Sequence, residues 1–170
     1  MYAKIIFLTV LTLLLWSHTE PLWGAEPVLG DEPKEVPKLT GEKISIAKQV
    51  ATIADLKPLV GTYYIAAQNW RNDIRTDVVS MQTPQPGVLV PAGARMGLWK
   101  FVKAAENRKM VDVPNLRGET LENARQSLTN IALQPFGILE DEIEGEILDQ
   151  YPEPGAKVFV GTSIFLTLKK

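Results

Sequence analysis

The sequence predicts an α+β protein built as tandem small domains, each with one α-helix packed on a three-stranded antiparallel β-sheet. Three observations lead there. Val-Pro-x-Leu-x-Gly occurs at Val36 and again at Val113, 77 residues on, and a Gln-x-Pro-x-Pro-Gly elbow occurs at Gln82 and again at Gln150, 68 residues on. Each copy carries one run with apolar residues at helical spacing. After it come short β-branched and aromatic segments, punctuated by glycine and proline.

In chain order, residues 1–25 read as a signal peptide or membrane anchor. Lys4 supplies the positive start, and Ile5 to Trp16 is an apolar run shorter than the roughly 20 residues a spanning helix needs. Ala25 suits the position before a cut, whereas Trp23 stands where a small residue is preferred, so an uncleaved, tethered form stays open. The run has no amphipathic stripe, which disfavours a buried helix. Residues 26–35, "EPVLGDEPKE", read as an extended linker.

Repeat one then spans 36–102, a polar connector 103–112, and repeat two 113–170. In the first register Leu39 matches Leu116, Gly41 matches Gly118, Ala47 matches Ala124 and Gln49 matches Gln126. The shift in offset means that repeat one holds nine more residues between Pro58 and Gln82 than repeat two holds between Pro135 and Gln150.

A helix is expected from Leu121 to Ala132. Thr120 is a good N-cap, Glu122 favours the first turn, and Leu121, Ala124, Leu128 and Ala132 share a face. Repeat one places Ile44, Ala47 and Ala51 on that face, but Lys43 replaces the capping threonine and Asp55 ends the row. Its helix is therefore expected to be less sharply defined. Strands are expected in "GTYYIA", "DVVSMQ" and "GLWKFV" of repeat one, and in "FGILEDEI", "GEILDQ" and "TSIFLTLK" of repeat two. In the last of these, Ile164, Leu166 and Leu168 alternate and can face the helix.

The elbow residues Gln82, Pro84, Pro86 and Gly87, with Gly93 beyond, recur as Gln150, Pro152, Pro154, Gly155 and Gly161. Proline cannot donate to a ladder and glycine is free to take positive φ, so a strand ends there and a defined turn follows. These residues are read as a structural turn motif.

Composition narrows the function. The formal net charge is −2, which argues against nucleic acid as a partner. There is no cysteine, and the single histidine, His18, lies in the N-terminal segment. Thiolate and histidine catalysis and Cys or His metal sites have no candidates in the body of the chain. Paired acids such as Glu140 and Glu144 are the one remaining acid/base possibility. No catalytic residues, metal or cofactor are expected.

The motifs together, Val-Pro-x-Leu-x-Gly, a helix with an internal alanine, and Gly-Glu-Ile-Leu-x-Gln-x-Pro-x-Pro-Gly-x-x-Val before a glycine and an apolar strand, resemble the PASTA domain. This is the small module appended to penicillin-binding proteins and bacterial serine/threonine kinases. Repeat two matches along its whole length, and repeat one resembles a divergent copy with extra residues in the middle. The resemblance implies tandem copies in an extended row, an extracytoplasmic place, and for some members recognition of peptidoglycan fragments or β-lactams. Other members act as spacers or contacts for partner proteins. The resemblance supplies no catalytic residues.

Charge divides unevenly: repeat one has eight basic against four acidic residues, and repeat two has five against nine. The acidic run "EDEIEGE" alternates as a solvated strand face would. The extra segment of repeat one, by contrast, gathers Tyr63, Tyr64 and Trp70 beside Arg71 and Arg75. Flat aromatic faces suit sugar stacking, and planar guanidinium donors suit carboxylates, so these five residues are the candidate ligand-binding set. A core role for the aromatics is the competing reading, and Trp99 and Phe101 are assigned to the core.

The expected function is a non-catalytic envelope module that recognises peptidoglycan or muropeptides, periplasmic or otherwise extracytoplasmic, with membrane contact only through the N-terminal segment. The alternative is a spacer or docking module for an envelope protein.

Overall fold

The computed structural model describes residues 32–138, 142 and 144–169. The N-terminal segment with His18, most of the linker, Glu140 and much of the "FGILEDEI" strand lie outside these residues. The first unit runs β1 (Lys34–Glu35), α1 (Ile44–Ile53), β2 (Lys57–Ile65), a 3-10 turn (Ala67–Asn69), β3 (Met81–Thr83), β4 (Leu89–Val90) and β5 (Arg95–Lys103). The second runs β6 (Met110–Asp112), α2 (Leu121–Asn130), β7 (Gln134–Phe136), β8 (Ile147–Tyr151), β9 (Lys157–Phe159) and β10 (Ser163–Leu168).

The two units share one plan. Each has a three-stranded sheet, β2-β5-β3 or β7-β10-β8, and a two-stranded one, β1-β4 or β6-β9. The α+β class and the helix on three strands are as expected, but the larger sheets are mixed, not wholly antiparallel. After the elbow and the short strand that follows it, the last strand inserts between the two earlier ones, so β5 runs parallel to β2 and antiparallel to β3, and β10 is likewise parallel to β7 and antiparallel to β8. Alternation of apolar residues is the same in either direction, so the sequence carried no mark of it.

Both helices have ten residues. The Thr120 hydroxyl accepts from the Asn123 N–H at 3.3 Å, whereas Lys43 makes no side-chain cap bond. Helix α2 stops at Asn130, two residues short of the expected Ala132. Ala132 instead takes a left-handed φ of 56°, and the Leu133 N–H reaches back to the Leu128 carbonyl. Asp55, with φ 57°, and the bond from Leu56 to Ala51 repeat this helix ending in unit one.

Each helix covers one sheet face. Ala47 and Ala51 of α1 pack with Leu56, Met96 and Leu98, while Leu121, Ala124 and Leu128 of α2 pack with Leu133, Ile164 and Leu166. The alternation predicted for β10 holds, with Leu168 partly buried against the same core.

The elbow is tied down by its glutamine. Gln82 Oε1 accepts from the Leu39 N–H at 2.7 Å, and its amide donates to the Pro37 carbonyl at 3.0 Å and the Pro84 carbonyl at 3.3 Å. Gln150 makes the same three bonds to Leu116, Pro114 and Pro152. Both glutamines are buried, so each amide satisfies backbone groups that no strand partner reaches. Pro84 and Pro152 follow cis peptide bonds, and Gly87, Gly93, Gly155 and Gly161 all have positive φ, as the turn reading requires.

The extended row implied by the resemblance is not what the two units adopt. Their larger sheets meet on the faces turned away from the helices, giving the order helix, sheet, sheet, helix. Strand β5 sends Met96 and Leu98 to its own helix, and Gly97 and Trp99 to the other unit. Trp99 is fully buried among Phe136, Tyr151 and Phe165 of unit two, with ring centroids 5.0, 5.2 and 6.2 Å away. The assignment of Trp99 to a core stands, but this core lies between the units.

Candidate functional site at the unit junction

The nine extra residues of repeat one have a visible structural use. They lengthen β2 to nine residues, against three in its counterpart β7, and then form the 3-10 turn. The lengthened strand pairs with β5 as far as Ile65 and Lys103 and lies along unit two. There the Thr62 N–H donates to Ser163 Oγ at 3.0 Å, and Trp99 Nε1 donates to the Ser163 carbonyl at 2.9 Å. Gly61 and Gly97 make the close approach possible. A Cβ on Gly61 would stand 2.8 Å from the Phe136 ring, and one on Gly97 would stand 2.9 Å from Phe165. A polar clasp closes the same seam: Arg95 donates to the Gly137 carbonyl at 2.9 Å and forms an ion pair with Glu142.

This geometry separates the five candidate ligand residues. Tyr63 faces unit two, its ring 5.9 Å from Phe101 and against the second core, and burial pushes its hydroxyl above the ordinary tyrosine range. Tyr64 lies at the junction, with the Arg108 guanidinium carbon 3.8 Å from its ring centroid. Trp70 is half-buried at the end of the 3-10 turn, and Arg71 and Arg75 follow it on the exposed surface. These arginines are already partnered: Arg71 pairs with Asp73 at 2.6 Å and Arg75 with Asp77 at 2.9 Å. Hydrogen bonds from the arginines hold both carboxyls below the usual aspartate range. The segment thus brings Trp70, Arg71 and Arg75 to one stretch of surface and leaves the tyrosines on the strand behind it.

Arg108 and Arg95 were not picked out in the sequence. Arg108 lies in the connector, and its Nη1 donates to the Val160 carbonyl at 2.6 Å. Two shallow grooves meet at this side chain. One, of about 610 Å³, is lined by the 3-10 turn and connector, including Ala67, Lys103, Glu106, Met110 and Phe159. The other, of about 430 Å³, runs between the end of α2 and Val160–Gly161, with Thr129 and Gln134 in its lining. Among the described residues no cluster of acids or histidines is arranged to hold a metal ion, and no helix is long and apolar enough to cross a membrane.

Residues 111–170 match the family model described as the PASTA domain. The probable serine/threonine-protein kinase PknB of Corynebacterium glutamicum is 30% identical over 101 residues, covering 56% of this chain. The chain spans 15% of that relative's length. Among solved structures, the three-PASTA-domain region of a Ser/Thr kinase from Staphylococcus aureus aligns over 79% of this chain and 66% of its own, at 17% identity and a TM-score of 0.34. Penicillin Binding Protein 2X from Streptococcus thermophilus aligns over 82% of this chain and 17% of its own, at 12% identity and a TM-score of 0.34.

Proposed function

Because residues 111–170 are a PASTA domain and the unit ahead of them folds to the same plan, we propose that the chain is a non-catalytic module of the bacterial envelope that recognises peptidoglycan or its precursor fragments. The observation that carries this reading is the pairing of a PASTA domain with a diverged partner whose extra segment presents Trp70, Arg71 and Arg75 at the surface. In this reading Trp70 offers a face to a sugar ring, and the two arginines exchange Asp73 and Asp77 for carboxylates of a stem peptide. Exposed ion pairs contribute little to stability, so such an exchange is not opposed by the fold. Tyr63 and Tyr64 hold the strand that carries the segment. The module is made of units near the boundaries 36–102 and 113–170, each extended at its start by a short paired strand, Lys34–Glu35 and Met110–Asp112, and the N-terminal segment delivers it outside the cytoplasm and supplies its membrane contact. Co-sedimentation of the full chain with purified peptidoglycan tests the reading.

A second reading, a spacer or module that docks an envelope protein, is favoured by one feature of α1. Ile46, Val50 and Ile53 form an exposed row, Ile53 being 85% exposed, and the equivalent α2 positions are Asn123, Ser127 and Asn130. The fold does not require apolar residues there. Failure to bind the wall, together with stoichiometric capture of one envelope protein that is lost when the row is exchanged for the α2 residues, would favour this reading.

A further inference from the structure

Arg108 is stacked on the Tyr64 ring and has no carboxylate partner among the described residues. Arg71, Arg75, Arg95 and Arg117 are paired with carboxylates, whereas among the described residues Arg108, like Arg125, bonds only a main-chain carbonyl, and Arg108 alone stands where two grooves meet. It is nevertheless held in place. The ring of Tyr64 lies under its guanidinium, the Val160 carbonyl takes one N–H, and its own main-chain N–H donates to the Ala105 carbonyl at 3.0 Å. Gly161 leaves the room for it, since a Cβ there would come within 2.8 Å of Nη1. A stacked, half-buried guanidinium loses less freedom on binding than a free surface arginine, and its planar fork is the natural receptor for a carboxylate.

The surroundings define the rest of the ligand. The larger groove adds Lys103, which has no acidic partner among the described residues, and Glu106, an acceptor suited to an ammonium group. Met110, 52% exposed, and Phe159 give it an apolar side, and Ala67 leaves one wall low. Charges of both signs with small and apolar walls fit a short extended peptide better than a bare sugar.

We propose that the junction groove binds the free carboxylate of a short peptide bearing an amine, with Arg108 and Lys103 receiving the carboxylate. Resting on the peptidoglycan reading, this makes the stem peptide the part of the polymer engaged at the junction, next to the surface that presents Trp70.

Calorimetric titration of the full chain with a synthetic tetrapeptide whose only carboxylate is its C-terminus, Ala-Gln-Lys-Ala, and with its carboxyl-amidated form tests the inference. The unmodified peptide is expected to bind, and amidation or Arg108→Met to weaken it by about tenfold or more, the loss typical of a charge-assisted bidentate contact. Lys103→Met, at an exposed position, is expected to weaken binding several-fold with an unchanged melting temperature, which separates ligand contact from any loosening of the junction by Arg108→Met. Absence of binding by the wild-type chain, equal binding of the amidated peptide, or unaltered affinity in both variants would overturn the inference. Sedimentation with peptidoglycan but no peptide binding would end the groove assignment and leave the wall reading standing. Peptide binding at the groove without sedimentation would end the wall reading and leave the groove.

Discussion

The indole N–H of Trp99 in the first unit donates to the main-chain carbonyl of Ser163 in the second, at 2.9 Å, with no part of Trp99 open to solvent. Ser163 also accepts the Thr62 N–H through its hydroxyl, so one residue of β10 satisfies two donors of unit one. The units share a buried seam at this point, and their stabilities are coupled through it.

Trp99→Ala is therefore expected to destabilise the chain by about 3–5 kcal/mol, as for a large aromatic removed from a packed interior. Unit two should be affected as well, because Phe136, Tyr151 and Phe165 lose the ring they pack on. Thermal unfolding followed by near-ultraviolet circular dichroism should show one transition in the wild type and a lowered or split transition in the variant. Unchanged melting of unit two would show that the seam does not couple the units.

Gln150→Leu should cost about 2–3 kcal/mol despite replacing a polar side chain by an apolar one, because it leaves the buried Leu116 N–H without its acceptor. Gln82→Leu should do the same to Leu39. Chemical denaturation of the two single variants checks both values, and a stabilised Gln150→Leu protein would contradict the role given to the glutamine.

How much of this was legible in the sequence differs by element. The register of Val36 with Val113 and of Gln82 with Gln150 gave both units, because repeated turn residues act locally. What the glutamine does was not legible: a polar residue before a proline gives no sign that it is buried, and its partners lie 43 and 34 positions away. The sheet-to-sheet seam left one faint trace. "GLWKFV" and "SIFLTL" carry apolar residues at both parities, which is how a strand covered on two faces reads, and Gly61 and Gly97 mark a close approach inside strands. Tyr63 read as part of a ligand platform because burial against a neighbouring unit and exposure to a ligand call for the same side chain. Arg108 sits in a polar connector, where nothing local distinguishes a clamped cation from a solvated one.

Ala132→Gly should stabilise the chain by about 1 kcal/mol. Alanine at a φ of 56° carries the steric penalty of the left-handed region, which glycine avoids. The same change at Asp55 should give less, because aspartate tolerates that region better. Melting temperatures of the two variants test the order.

Stability should fall in alkali through Tyr63. Burial, with Tyr151 nearby as a smaller influence, raises its hydroxyl above the ordinary value of 10.0. A raised folded-state value means that the unfolded chain ionises first, so this contribution is intact below pH 10.0 and is lost as pH rises through the folded-state value. Tyr63→Phe should flatten that loss. Melting temperatures at about pH 9 and about pH 11 measure it, and equal alkaline losses in both proteins would contradict the burial of Tyr63 at the seam.

The most direct test of the functional account is co-sedimentation of the full chain with purified, protein-free peptidoglycan at low and high salt, beside a Trp70→Ala, Arg71→Ala variant. The account predicts that the wild-type chain pellets with the wall, retains most binding at high salt through the aromatic contact, and loses it in the variant. A chain that stays in the supernatant at both salt concentrations would contradict it.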